Sequence, residues 1–362
     1  MFIFIFIFGF LIWILSSYFL FKISPFTHTM SLKRFLSFTT IFFIISLLIL
    51  LLSRNYSYLP ELEHVYIAGS LLITIIIYSI VLTPISIISF IFLKNKKRIL
   101  NIIFYLLIIL PILMSIIGFL ELRFEEKITY LNITTENQNL KGKKYVFFSD
   151  PQFSIGSQAW IAKKITNSLE KISPEKIFIA GDVFNGERLD WNPISTEMRN
   201  WNNIAPVFVV TGNHEHYGDY VEFIDLINKA NWTLISNETI DMDGINILGL
   251  NYAFDESERE NIKNIGEEEL KNKNIDIVIS HEPLIYMIDE VSKYSPTFVF
   301  AGHTHNGQFW PLNYIVRLKY GRFIYGENIV ENTTFYTTSG YGISFIVNRL
   351  FNLPEMVVVR FR

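Results

Sequence analysis

The sequence predicts an all-α membrane region of about four helices followed by an α/β domain. Three observations predict it. The chain has 362 residues and is 50% hydrophobic, but long Phe, Ile and Leu runs crowd into about the first 120 residues. From about residue 126, short β-rich runs alternate with amphipathic or polar stretches, the pattern of helices laid over sheet faces. In that second half, successive apolar runs end in Asp, Asn or His.

A helix that crosses a bilayer needs about 20 mostly apolar residues. Residues 2–21, 35–52, 65–93 and 99–120 meet that requirement. The third segment is long and contains Pro84, so a kink or a tilt is expected there. The first lacks a basic leading region and a small-residue cleavage site, and it reads as an uncleaved helix rather than a signal peptide. Lys22, Lys33 and Arg34 follow the first segment, and Lys94, Lys96, Lys97 and Arg98 follow the third. The loop between the second and third sets Arg54 beside Glu61 and Glu63. Basic loops stay in the cytoplasm, so both chain ends and the polar domain are expected outside. The helix centres carry no Asp, Glu, Lys or Arg, which argues against an ion or proton pathway. The expected boundaries are a transmembrane domain over 1–125 and an α/β domain over 126–362.

A net charge of −3 gives no support to nucleic-acid binding. The absence of cysteine excludes disulfides, thiolate metal sites and cysteine nucleophiles.

In the polar half the expected strands are 144–149, 176–180, 206–211, 245–250, 275–280, 297–301, 334–338 and 355–361. Helical candidates include 157–172, 218–230 and 283–293. Five of the seven histidines, His214, His216, His281, His303 and His305, follow a strand within a few residues. Asp150, Asp182 and Asn213 stand at equivalent strand ends. Loops after strands that point the same way converge on one edge. Two divalent metals about 3.5–4 Å apart need a bridging carboxylate and several neutral ligands, which leave the pair positive enough to hold a phosphate and acidify water. Gly181, Gly212 and Gly302 precede these residues and permit tight turns.

The ordered blocks "FFSDPQ", "FIAGDVFN", "VVTGNHEH", "VISHEP" and "VFAGHTHNGQ" resemble the calcineurin-like metallophosphoesterases. The "GHTHNGQFWP" block and "YTTSGYGISFIVNRLFNLPEM" resemble a bacterial branch often tethered to membranes, which points to a multi-pass protein of the bacterial cytoplasmic membrane. The resemblance implies a four-layer αββα sandwich of two mixed sheets flanked by helices. It further implies two divalent metal ions (Mn, Fe or Zn), with Asp150, Gln152 and His305 on the first, Asp182 bridging, and Asn213, His281 and His303 on the second. His214 would face the scissile phosphate and assist the leaving oxygen, and Asn185 would orient water or phosphate. Glu215 and His216 would stand behind the ligands, His216 equally as a rim residue. Gln152 occupies a place usually held by His. Its neutral amide oxygen leaves the formal charge unchanged and shifts preference from Zn toward Mn or Mg.

The implied activity is hydrolysis of a phosphodiester or pyrophosphate by in-line attack of a metal-bridging hydroxide, on a phosphoester substrate that the membrane tether suggests is lipid-linked or part of the envelope. A phosphomonoesterase or nucleotide hydrolase, and a catalytically silent metal-binding scaffold, stay open beside it. Two further stretches invite a role. Arg188, Trp191, Arg199 and Trp201 in the insert 185–203 read either as a substrate rim or as a solvated loop-helix. The aromatic stretch 309–325 reads either as a lipid-docking surface or as a strand and loop at the sheet edge.

Overall fold

A computed structural model describes residues 2–56, 59–155, 157–186 and 191–362. The chain forms two compact units: Met1–Leu120 with Ile346–Leu350, and Glu121–Phe345 with Phe351–Arg362.

The helical unit contains α1 (Phe2–Ile23), α2 (Leu32–Asn55), α3 (Glu63–Val81), α4 (Thr83–Leu93) and most of α5 (Lys97–Phe124). Among the described residues α2, α3 and α5 are long and apolar enough to cross a membrane, while Phe8–Ile23 of α1 and α4 are shorter apolar helices. The expectation of four long segments is corrected at the third, which is two helices joined at Leu82. Pro84 is the cause: it stands in the first turn of α4, where a missing N–H costs nothing, and cannot sit inside a continuous helix without losing a bond. At 11 residues α4 is about 16 Å long, short of the roughly 30 Å hydrocarbon core.

Along α3 the residues Tyr66, Ser70, Thr74 and Tyr78 recur every fourth position, and all four are buried. Polar side chains on apolar helices need partners. Thr74 Oγ1 meets Ser115 Oγ of α5, and Tyr78 OH donates to Asn348 Oδ1 at 2.7 Å. Asn348 Nδ2 donates to the Ser115 carbonyl at 2.8 Å, and Arg349 N to that of Gly118 at 3.0 Å. A Cβ on Gly118 would lie 2.2 Å from Asn348 Oδ1, so glycine is what admits Ile346–Leu350 into this unit.

The second unit is a pair of six-stranded mixed sheets. The first sheet holds β1 (Lys127–Ile133), β2 (Lys144–Phe148), β3 (Lys176–Ala180), β4 (Val207–Val210), β5 (Thr233–Leu234) and, late in the chain, β12 (Glu355–Phe361), in the order β1-β12-β2-β3-β4-β5. The second holds β6 (Glu238–Asp241), β7 (Asn246–Leu250), β8 (Ile277–Ser280), β9 (Phe298–Ala301), β10 (Gly326–Val330) and β11 (Thr333–Thr337), in the order β10-β11-β9-β8-β7-β6. The runs β2-β3-β4-β5 and β7-β8-β9-β11 are parallel. Intervening helices are α6 (Gln158–Ile172), α7 (Asn192–Ile204), α8 (His214–Tyr217), α9 (Tyr220–Lys229), α10 (Glu256–Asn272), α11 (Ile288–Lys293) and α12 (Leu312–Tyr320).

Alternation along the strands builds three apolar layers. Phe147, Phe178 and Phe208 face Phe298 and Phe300 between the sheets, with ring centroids of Phe147 and Phe178 4.9 Å apart. The opposite residues, Phe148, Ile177, Ile179 and Val209, pack beneath α6, α7 and α9. Leu248, Val278 and Val299 pack beneath α10 and α11. The result is the four-layer αββα sandwich, with all eight expected strands present. Strands β1, β5, β6 and β10 and the charged helix α10 are additions to that expectation, and the insert contains helix α7. The stretch 309–325 contains α12 in place of the expected strand. In the insert, Trp201 is fully buried and stacks on Trp232 at 5.5 Å, so it belongs to the core; Arg199 is exposed, Trp191 packs partly buried against Phe184, and Arg188 lies outside the described residues.

Glu355 ties the sheets together. Its buried carboxylate accepts from Thr129 Oγ1 (2.6 Å), Tyr325 OH (2.9 Å), Tyr336 OH (2.8 Å), Thr338 Oγ1 (3.0 Å) and Ser339 N (3.1 Å). Just beyond, Tyr341 N and Gly342 N donate to the carbonyls of Ser149 and Asp150. Glu355→Ala strips five donors of their acceptor, and each buried unsatisfied group costs about 1–3 kcal/mol. The variant is expected to lose about 3 kcal/mol or more of stability, read as a lowered thermal or denaturant midpoint, with Glu355→Gln intermediate. An unchanged midpoint for the Ala variant contradicts the role.

Candidate metal centre

Each strand-end residue reaches one place because the parallel strands of the two sheets present their C-terminal ends to a common edge. Asp150 and Gln152 follow β2, Asp182 follows β3, and Asn213 and His214 follow β4; His281 follows β8, and His303 and His305 follow β9. The backbone turns sharply to aim these side chains. Asp150, Gln152, Asp182, His303 and His305 all have φ between 40° and 68°. That left-handed conformation is unfavourable for residues with a Cβ and gathers where surroundings hold it in place. At Gly212 a Cβ would lie 2.2 Å from Asp182 Oδ1, so the loops after β3 and β4 touch only because glycine stands there.

All eight candidate residues converge. Asp182 is the hub: Oδ2 accepts from Gln152 Nε2 at 3.0 Å and lies 3.3 Å from His281 Nε2 and 3.9 Å from His214 Nε2, while Oδ1 accepts from His214 N at 2.8 Å. On one side His281 Nε2 is 3.1 Å from Asn213 Oδ1 and 3.0 Å from His303 Nδ1. On the other, His305 Nε2 is 3.2 Å from Asp150 Oδ1, and His303 N donates to Asp150 Oδ2 at 3.0 Å. His281 Nδ1 donates to the Ala180 carbonyl at 2.8 Å, which fixes its ring and joins the second sheet to the first.

Glu215 stands directly behind this group. Its buried carboxylate accepts from the backbone N–H groups of Asp182 (3.0 Å), Val183 (2.7 Å), Phe184 (3.3 Å) and Gly212 (2.7 Å), and so shapes the turn that carries Asp182. His216 is exposed and stacks on Tyr220 at 4.7 Å, a rim position. Asn185 is buried, with its N–H on the Phe153 carbonyl. Two neighbours were not anticipated. Tyr252 lies 5.2 Å from the His303 ring, and Tyr320 lies 6.1 Å from it while donating to Glu282 Oε1 at 2.9 Å. Tyr252 stands two residues after β7, so the strand-end pattern that marked the histidines also marks it; Tyr320 comes from α12, which carries no such mark.

Burial works against every charge here, and neighbours decide the outcome. Burial lowers the His281 pKa, but Asp182 and Asp150 lift it to about 10. Burial and the adjacent His281 hold His303 down to about 4. Burial pushes both aspartates up, yet His305 and His281 at Asp150, and His281 and His214 at Asp182, bring them below the ordinary carboxylate range. Burial and nearby Asp182 push Glu215 up to about 7, against its N–H partners. Burial lowers His214, with Asp182 pulling the other way. Without a cation, then, a proton on His281 balances buried negative charge, and a bound metal must displace it.

The donors suit divalent ions. Asp182, His281 and His303 each offer a ligand atom, all within 4.8 Å of one another. Gln152 Oε1 is buried and accepts no hydrogen bond. A buried acceptor without a donor needs an explanation, and a cation on that oxygen provides one.

Comparison with known proteins agrees. Residues 143–307 match the family described as calcineurin-like phosphoesterase. An uncharacterised metallophosphoesterase of Campylobacter jejuni is 27% identical over 243 residues, covering 64% of this chain and 62% of that protein. One from Helicobacter pylori strain 26695 is 25% identical over 226 residues, 61% of this chain and 60% of the relative. A transmembrane protein with metallophosphoesterase domain from Bos taurus is 22% identical over 282 residues, 70% and 62% respectively. The chain thus spans about three fifths of the length of the relatives it matches. The strand-end ligand blocks lie inside this matched region and apolar helices precede it, so over residues 143–307 the chain is similar to the calcineurin-like phosphoesterases.

Proposed function

We propose that this protein is a membrane-anchored, metal-dependent phosphoesterase that hydrolyses a phosphodiester or pyrophosphate bond. The observation that carries this reading is the Asp182 carboxylate, shared between the Gln152 side and the His281 side of one buried cluster. In this reading Asp150, Gln152 and His305 would hold one cation, Asn213, His281 and His303 a second, and Asp182 would serve both. Divalent cations supply Lewis acidity toward phosphoryl oxygens and lower the pKa of water. The remaining work falls to the chain. Glu215 and the glycine turn fix Asp182, and the backbone of Ala180 orients His281. His214, half-buried at the rim, would hydrogen-bond the departing oxygen and stabilise or protonate it.

A lipid-linked substrate is favoured by α12, which follows the His303–His305 block directly. Its Tyr314, Ile315 and Leu318 are exposed apolar residues, Leu318 at 87%, beside exposed Arg317 and Lys319. Such a surface suits an acyl chain near the site. The basic loops at 22–34 and 94–98 favour a catalytic unit on the outer face of a bacterial cytoplasmic membrane, with α3 and α4 together making one bent crossing.

Asp182→Ala is expected to lower hydrolysis of a bis-nitrophenyl phosphodiester with Mn by about a thousandfold, equivalent to about 4 kcal/mol of barrier, and to reduce bound metal on elemental analysis while far-UV circular dichroism stays unchanged. Wild-type turnover in that variant removes the bridge, and an inactive wild type that binds metal favours the silent scaffold. Gln152→His is expected to raise the bound zinc-to-manganese ratio about tenfold after equilibration with both ions, because imidazole nitrogen replaces amide oxygen; an unchanged ratio means that residue 152 does not ligate. His214→Ala should slow an alkyl phosphodiester by about a hundredfold and spare one with a nitrophenolate leaving group, since only the poor leaving group needs a proton. Equal losses on both substrates contradict the assignment.

A further inference from the structure

Helix α12 presents an uncovered apolar face. At about 3.6 residues per turn, Tyr314, Ile315 and Leu318 fall on one side of it, and they are 62%, 64% and 87% exposed. On the opposite side Val316 is half-buried and Tyr320 is buried. Arg317 and Lys319 lie at the two edges of the apolar face, and both are exposed. An apolar stripe flanked by cations is the pattern of a helix that lies in the plane of a membrane surface.

The helix is held firmly from behind. Tyr320 OH donates to the buried Glu282 carboxylate at 2.9 Å, and Lys319 Nζ donates to the same oxygen at 3.0 Å. A Cβ on Gly307 would lie 2.3 Å from Asn313 N, so the turn after His305 presses directly on the helix. Packing accounts for the inner face and leaves the outer one unexplained. Glu282 compensates Lys319. Arg317 and, in the turn after α12, Arg322 make no ion pair among the described residues; Arg322 is exposed and rests 5.0 Å from the Phe323 ring.

Size, tethering and charge select the occupant. Exposed apolar patches rimmed by polar residues mark protein or membrane contacts. Three side chains on about two turns of helix fall well short of the roughly 800 Å² per partner of a stable protein interface. A weak contact suffices for a unit already tied to a bilayer. The same chain carries three helices long and apolar enough to cross a membrane, and tethering raises the effective concentration of that surface. The two unpaired arginines favour anionic over neutral headgroups.

We propose that α12 docks as an interfacial helix on the surface of an anionic phospholipid bilayer, with Tyr314, Ile315 and Leu318 at the acyl boundary and Arg317 and Arg322 among the headgroup phosphates. This goes beyond the hydrolytic reading and rests only on its membrane anchoring.

The chain has no cysteine, so Leu318→Cys takes a single environment-sensitive thiol dye. Val221→Cys on α9, at a residue 77% exposed, serves as the reference. The full chain is placed, one copy per disc, in nanodiscs of phosphatidylglycerol or of phosphatidylcholine with brominated acyl chains. In phosphatidylglycerol at low salt the Leu318 probe is expected to shift to the blue and to be quenched at least about threefold more than the Val221 probe. That difference should shrink in phosphatidylcholine and at high salt. Arg317→Glu with Arg322→Glu should move the docking equilibrium at least about tenfold toward the undocked form, with bound metal unchanged. Equal quenching of the two probes in phosphatidylglycerol overturns the proposal, as does a Leu318 signal that neither the neutral lipid nor the charge reversal weakens. Shielding of the Leu318 probe in detergent that grows with protein concentration would assign the face to a second copy and overturn it too. None of these readouts depends on turnover, and a chain that fails to enter the discs refutes the anchoring and the proposal with it.

Discussion

The carboxylate of Asp182 is the constraint around which the second unit is organised. It is buried, charged and central, and a buried charge is costly unless paired and hydrogen-bonded. Its neighbours come from three separate loops: Gln152 after β2, His214 and Glu215 after β4, the latter holding the Asp182 backbone N–H, and His281 after β8. No single loop could satisfy it. The two sheets must therefore meet with their C-terminal strand ends aligned, and the aromatic layer of Phe147, Phe178, Phe298 and Phe300 sets the distance at which they do. The site and the sandwich impose the same condition from different ends.

Cation binding follows from that electrostatics. Two aspartates and Glu215 lie within one buried region, and in the absence of a metal His281 holds a proton far above its usual range to balance them. His303, 3.0 Å away, is pushed the opposite way by burial and, next, by the adjacent His281 imidazole. The cluster is therefore short of positive charge and already supplied with oriented acceptors. The Gln152 amide nitrogen serves Asp182, and its amide oxygen is buried without a donor.

The helical unit follows another rule. Its apolar exterior is ordinary for lipid contact, while its interior is organised by a polar stripe on α3 and by Asn348, brought in from near the end of the chain. Gly118 leaves the room for it. The absence of acidic and basic residues from the helix centres was legible, yet Arg349 is fully buried in this unit all the same, because it arrives on the Ile346–Leu350 segment rather than on a helix.

Periodicity and chemistry alone determined the apolar helical region, the eight strands and the convergence of Asp150, Asp182, Asn213 and the histidines, since strand alternation and strand-end placement are local properties. Locality is also the limit. Pro84 marked a disturbance, but whether a helix bends or divides there depends on its packing. Trp201 read either as a rim residue or as part of a solvated loop-helix, because a tryptophan in a polar insert reads the same whether it faces solvent or stacks on Trp232. The helices α10 and α12 and the pairing of β1 with β12 left weak patterns, because their partners lie far away in the sequence. Only the tertiary structure decided that Glu355 binds the sheets together, that Glu215 supports Asp182 and that Ile346–Leu350 joins the helical unit. Each depends on side chains brought together from distant positions, and burial and charge act over space rather than along the chain.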